Sequence, residues 1–243
     1  VSFKKFRDLF FKNLNKLSYE HKDGFFGYMI SRYFILQNKG GRQDILKEVF
    51  KLYDMKLKLG LHSELKAIRY PSTAFRDYVV VGLKLKKYKW VKDFIEKYSP
   101  LLTTEIRDEE MKMAYTRLYL FKKEYDNALQ CLNELKTTNY IYLLDASRIK
   151  LRIFYEKSYF EEAFLEIDRI KHYIKNNTKK VALLVRKYSK EFIDVYNELL
   201  KLRLNPDKEG IDYLFNNIQK ATTLVAKEWF IEKIKEMKYQ TIT

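Results

Sequence analysis

The sequence predicts an all-α fold, an α-solenoid of antiparallel helical hairpins with atypical terminal helices. Three observations predict it. The first is a period: Leu83-Lys84-Leu85-Lys86-Lys87-Tyr88-Lys89-Trp90 recurs 35 residues on as Leu118-Tyr119-Leu120-Phe121-Lys122-Lys123-Glu124-Tyr125, and again as Ile153-Phe154-Tyr155-Glu156-Lys157-Ser158-Tyr159-Phe160. Trp90, Tyr125 and Phe160 fall in register, as do Phe94, Leu129 and Phe164. Self-similarity of this length marks stacked helix–turn–helix units, none of which can bury its apolar face alone. The second is composition. With 7 Gly and 3 Pro in 243 residues, helix breakers are scarce, so long helices and short connections are expected. The third is the helical spacing of apolar residues between the turn signals.

Residues 1–71 read as an N-terminal helical block. Ser2 to Leu17 sets Phe3, Phe6, Phe10, Leu14 and Leu17 on one helix face, surrounded by Lys4, Lys5, Arg7, Lys12 and Lys16. Such a basic amphipathic face suits either a membrane surface or the next helix of an array. Asp23 is placed to cap a second helix running to Lys39, with Gly40-Gly41 as its turn. A third helix runs from Arg42 to Leu59 on Ile45, Val49, Leu52 and Leu59, and Gly60 ends it. His62 to Pro71 reads as a connecting hinge.

Residues 72–177 read as the repeat array. Ser72 or Thr73 caps a helix extending to Lys87, and Lys89 to Ser99 is its hairpin mate, limited by Pro100. Thr104 opens the next helix, whose Glu105 and Asp108-Glu109-Glu110 complement the helix dipole. The expected hairpins are 104–122 with 125–136, and 139–157 with 159–175. Residues 178–243 read as C-terminal capping helices: one long helix from Thr178 to Leu204, a turn at Asn205-Pro206-Asp207, then helices over 208–220 and 222–238. Array ends depart from the repeat because they must cover an exposed apolar face.

Net charge is +16 with a pI near 9.5. An excess this large fits an anionic partner such as nucleic acid or an acidic peptide, and better still a Lys-rich solvated surface spread over every helix. Cys131 is alone, which excludes an internal disulfide and fits a reducing, cytoplasmic setting; its apolar neighbours predict a small buried hydrophobe. No apolar run approaches the ~20 residues of a membrane span. His21, His62 and His172 lack metal-ligand spacing, and the carboxylates of Asp108-Glu109-Glu110 and Glu161-Glu162 point in different directions around their helices. No phosphate loop, nucleophile elbow or kinase-type signature is present. The expectation is a non-catalytic chain with no catalytic residues, metal or cofactor.

In two units the second helix opens with Tyr125-Asp126-Asn127-Ala128 and Phe160-Glu161-Glu162-Ala163. An aromatic, polar or acidic residues and then Ala resembles the tetratricopeptide repeat, where a small Ala lets neighbouring helices approach. Its large positions correspond to Tyr115, Tyr119 and Leu132, then to Phe154 and Ile167. Asp93 stands where the Trp90 unit would carry Ala, and Thr116 and Leu151 fill the small position of the first helix. The likeness is degenerate and spans about residues 72–175. The wider layout, with the N-terminal helical block and the stretches 75–83 and 90–98, also resembles poorly characterised bacterial proteins carrying tetratricopeptide-like arrays.

The resemblance implies a right-handed superhelix whose concave groove binds a peptide or protein surface. Carried over, the groove positions fall on Phe75, Tyr78, Gly82 and Leu85, then Glu110, Met113, Arg117 and Leu120, then Asp145, Arg148, Arg152 and Tyr155. The candidate peptide-binding residues are Tyr78, Met113, Arg117, Arg148, Arg152 and Tyr155. Arginines pair bidentately with carboxylates and aromatics add apolar contact, a combination suited to an acidic or C-terminal peptide. The Asn residues of the repeat's carboxylate clamp are missing from these positions. The same arginines could instead pair with carboxylates of neighbouring helices. The alternative function is nucleic-acid binding through the Lys-rich surface.

Overall fold

The protein was analysed as a computed structural model that describes residues 2–40, 43–61 and 72–240. Among the described residues there are twelve α-helices and no strand. They divide into two compact units, Val1–Leu135 and Lys136–Thr243. The first holds α1 (Phe3–Asn13), α2 (Tyr19–Gly40), α3 (Gln43–Lys58), α4 (Ser72–Lys84), α5 (Tyr88–Tyr98), α6 (Thr104–Lys122) and α7 (Tyr125–Asn133). The second holds α8 (Tyr140–Lys157), α9 (Phe160–Asn176), α10 (Leu183–Leu204), α11 (Lys208–Lys220) and α12 (Lys227–Gln240). Helices adjacent in sequence pack together: α2 on α3, α3 on α4, α4 on α5, α5 on α6 and α6 on α7, and α4 also packs on α6. In the second unit α8 packs on α9, and α10 touches α8, α9, α11 and α12.

Local chemistry accounts for most boundaries. Ser2 caps α1, its hydroxyl accepting from Lys5 N at 3.3 Å. Phe10 is buried, with Phe3, Phe6, Leu14 and Leu17 packed against the same core, so the apolar face of α1 meets its neighbours in the first unit. Ser18, rather than Asp23, sits at the start of α2, where its hydroxyl accepts from His21 N at 3.3 Å. Asp23 lies a turn inside α2 and pairs with Lys56 at 2.7 Å. On α3, Ile45, Val49 and Leu52 are buried as the spacing predicts, while Leu59 lies past the helix end and is exposed. Thr103 is the N-cap of α6 without a side-chain hydrogen bond, and Thr104 is the first helical residue. The last long helix begins at Leu183, not Thr178. Asp207 caps α11, accepting from Gly210 N at 2.7 Å. Gly41 and the hinge expected over 62–71 lie outside the described residues.

One turn geometry joins all three hairpins. Lys86, Lys123 and Ser158 take the left-handed conformation, with φ of 57°, 62° and 57°. After each, a backbone N–H reaches back across the turn: Lys87 N to Gly82 O at 2.9 Å, Glu124 N to Tyr119 O at 2.9 Å, Tyr159 N to Phe154 O at 2.8 Å. These bonds satisfy carbonyls that a helix end would otherwise leave orphaned. Gly60 (φ 69°) ends α3 the same way, Leu61 N bonding to Lys56 O at 3.1 Å.

The turns correct the sequence register. The helix that follows begins at Tyr88, Tyr125 and Phe160, so Tyr88 and not Trp90 is the equivalent of the other two. The close-packing position of the first unit is then Val91, matching Ala128 and Ala163; all three are completely buried. Asp93 therefore does not occupy the Ala position. Aromatics at both 88 and 90 make two registers look alike in sequence, and only the turn separates them. The approach at Val91 also explains Gly82, where an added Cβ would stand 2.5 Å from Val91 Cγ2.

A left-handed conformation costs a residue with a Cβ about 1 kcal/mol. Lys123→Gly and Ser158→Gly are therefore each expected to raise stability by about 0.5–1 kcal/mol, the gain trimmed by the greater freedom of unfolded glycine. Urea unfolding would check this; a loss of stability would mean that these turns are set by other contacts.

Candidate functional site

The residues carried over from the repeat's groove are mostly turned into their own units. Tyr78, on α4, is 4% exposed and stacks on Tyr53 of α3 (3.9 Å) and Phe94 of α5 (5.2 Å). Met113 and Arg117 are buried on α6. Nearby, Glu110 is buried against Arg76 at 2.9 Å. On α8, Arg148 pairs with Asp145 at 3.2 Å and reaches Ser189 Oγ of α10 at 3.5 Å. Arg152 lies over the ring of Trp229 at 5.5 Å. Tyr155 is buried, edge-on to Trp229 at 5.4 Å, with Arg203 at 5.8 Å above its ring. The structure thus brings Arg152 and Tyr155 together around Trp229, while Arg148 is held by Asp145. The physical reason lies in the second unit's own helices: α10 and α12 cover the face of α8 that the repeat pattern alone would leave open.

That covering is tied by a polar knot. Lys233 of α12 is 3% exposed, yet its ammonium meets Glu156 of α8 at 3.0 Å and Glu236 at 2.9 Å. Trp229 Nε1 donates to the same Glu156 oxygen, Oε1, at 2.8 Å. Desolvation pulls the Lys233 pKa down, but its hydrogen bonds to Glu236 and Glu156 outweigh this and hold it above the usual lysine value. Burial pushes the Tyr155 hydroxyl up to about 12 and raises Tyr196 further. Tyr196 donates to Leu151 O at 2.6 Å. These groups stay in one protonation state near neutrality, which suits structure better than proton transfer.

The open feature of the second unit lies elsewhere, between the last two turns of α9 and the first three of α10. A cavity of about 890 Å³ is lined by Ile174, Leu183, Leu184 and Ile193, with Lys171, Lys175, Arg186, Lys187, Lys190 and Asp194. Leu183 and Leu184 are 73% and 57% exposed. Ile193 is buried and Ile174 packs on the core, so those two form the base. Leu183, Arg186, Lys187, Lys190 and Asp194 recur at helical spacing, which places them on one face of α10.

Electrostatically the cleft is one-sided. Five cations face one carboxylate, and among the described residues none of the five forms an ion pair. Elsewhere in the unit Arg148, Arg169, Lys201, Lys233 and Lys238 are paired, while Lys150, Lys179, Lys208 and Lys220 form no ion pair among the described residues, so what sets the cleft apart is that five cations gather at one opening. Helix α10 starts at an uncapped Ala182 and has no acidic residue in its first turn. The N–H groups of that first turn carry partial positive charge that no side chain balances. An anion in the cleft would offset this positive charge.

Sequence reading missed the cleft, although a signal was present. Val181-Ala182-Leu183-Leu184-Val185 is five apolar residues in a row. A helix whose neighbours cover only part of its circumference cannot bury apolar residues at consecutive positions, so some of them must face outward. Among the described residues no three His, Cys, Asp or Glu side chains gather to hold a metal, and no helix is long and apolar enough to cross a membrane. Cys131 is half-buried rather than fully buried, and burial raises its pKa, keeping it a thiol.

Fold and site together define a class: an all-helical array with adjacent-helix packing and an apolar cleft rimmed by unpaired cations. Comparison with known proteins finds no matching family model, and no curated protein or solved structure that matches significantly.

Proposed function

We propose that this chain is a non-catalytic protein- or peptide-binding array of tetratricopeptide-like hairpins, and that its docking surface is the α9–α10 cleft. The observation that carries this reading is the pair Leu183 and Leu184, adjacent exposed leucines that border a cleft with an apolar base. Exposed apolar surface bounded by polar residues is costly to keep unless something covers it. The three αL turns and the buried Val91, Ala128 and Ala163 support the repeat reading.

The test is a photo-reactive residue placed at position 184, with position 213 as control because Tyr213 is 70% exposed and outside the cleft. A discrete protein adduct from 184, absent from 213 and abolished by Leu183→Asp, is the expected result. No adduct from 184 would sink the proposal. On this reading Arg148→Ala leaves capture unchanged, since Arg148 is engaged with Asp145; its loss would move the docking surface to α8. Nucleic acid is the competing reading. The cleft has no aromatic side chain on which a base could stack, and single-strand binders rely on such platforms. Oligonucleotide binding that survives Leu184→Asp would replace protein binding as the function.

A further inference from the structure

We infer that the occupant of the α9–α10 cleft is an acidic amphipathic helix of a partner protein, seated by leucine-type anchors with its carboxylates on the cation rim. This rests on the reading of the chain as a protein-binding array and names the partner's chemistry.

The cleft makes two demands of its occupant. The first is apolar cover. Leu183 and Leu184 border a base of Ile174 and Ile193, and the cavity of about 890 Å³ is near the upper end for a small-molecule site. A small anion such as phosphate would satisfy the rim and leave that base wet. A bilayer is flat on this scale and would rest on the rim without reaching Ile193. Two or three aliphatic anchors spaced three or four residues apart along a helix fit a trough between two helices. An added β-strand is a poor candidate, because the described residues hold no strand edge to extend.

The second demand is negative charge in more than one place. Lys171 and Lys175 stand on the α9 wall, and Arg186, Lys187 and Lys190 on the α10 wall. None of the five forms an ion pair within the described chain. A helix with an apolar stripe flanked by Glu or Asp on both sides presents carboxylates to both walls at once. The uncapped start of α10 adds backbone N–H donors on the same side. Charge complementarity on this pattern raises the association rate and sets orientation, while the anchors hold the complex.

The experiment uses the full chain and a fluorescein-labelled helical peptide of about 18 residues, with Leu on one face and Glu on both flanks, read by anisotropy. Saturable binding is expected, weakening by about tenfold or more between about 50 mM and about 500 mM salt. Lys187→Glu with Lys190→Glu is expected to weaken it at least tenfold, as is Leu183→Asp with Leu184→Asp. All four residues lie on the surface, and circular dichroism would confirm that the variants fold. The same peptide with Lys in place of Glu should not bind. Binding of the Lys peptide, or of the Glu peptide to both double variants with full affinity, overturns the inference. So does capture of anionic vesicles in place of the peptide, or self-association that Leu184→Asp disperses. Failure of the acidic peptide while position 184 still yields its adduct also overturns it and leaves the protein-binding function standing.

Discussion

Glu156→Ala is expected to destabilise the second unit by about 3 kcal/mol, the largest loss foreseen from a single side chain here. Glu156 sits on α8 and holds two groups of α12: the indole of Trp229 at 2.8 Å and the ammonium of Lys233 at 3.0 Å. Removing it leaves a buried N–H donor with no acceptor and takes away one of the two carboxylates closest to an ammonium that is 3% exposed. A buried charge left under-compensated typically costs about 3–5 kcal/mol. Glu236, which stays at 2.9 Å from Lys233, keeps the figure at the lower end. Glu156→Gln retains an acceptor for Trp229 and should lose about half as much. The measurement is chemical denaturation followed by Trp fluorescence. If Glu156→Ala loses under about 1 kcal/mol, the knot contributes specificity rather than stability.

Raising the pH above about 10 is expected to unfold the second unit steeply, for a related reason. Burial holds Tyr155 neutral up to about 12 and Tyr196 beyond that, while Lys233 is held above the usual lysine value. In all three the native state keeps its proton more tightly than the unfolded chain. Stability is therefore whole below the unfolded values near 10 and drains away as pH rises through the folded ones. Tyr155, pushed up from 10.0 to about 12, accounts for about 3 kcal/mol across that window. Tyr155→Phe should flatten the slope between about pH 10 and about pH 12 while leaving neutral stability little changed. An equal slope in wild type and variant would show that Tyr155 ionises in the folded protein without resistance.

Much of the helix plan was legible because it depends on short-range chemistry. Apolar residues at a spacing of three and four placed α3, α6, α8 and α9 to within a few residues, and Gly60 and Asp207 marked boundaries through their own backbone preferences. The failures are equally local. Asp23 resembled a cap, but Ser18 five residues earlier satisfies the same donors. Tyr88 and Trp90 offered two registers, and the left-handed turn at Lys86 selected one.

The candidate binding residues were harder to place because exposure is not a local property. Tyr78 and Tyr155 fit a groove by position in the repeat, yet Tyr53, Phe94 and Trp229, distant in sequence, close over them. Leu183 and Leu184 look like ordinary core residues in the chain and end up exposed at the edge of a cleft. By itself the sequence determined the all-helical class and the charge excess, since each follows from residue type and spacing along one helix. Only tertiary structure decided which apolar residues stay uncovered and which cations go unpaired, because those outcomes depend on which distant helix arrives to cover them.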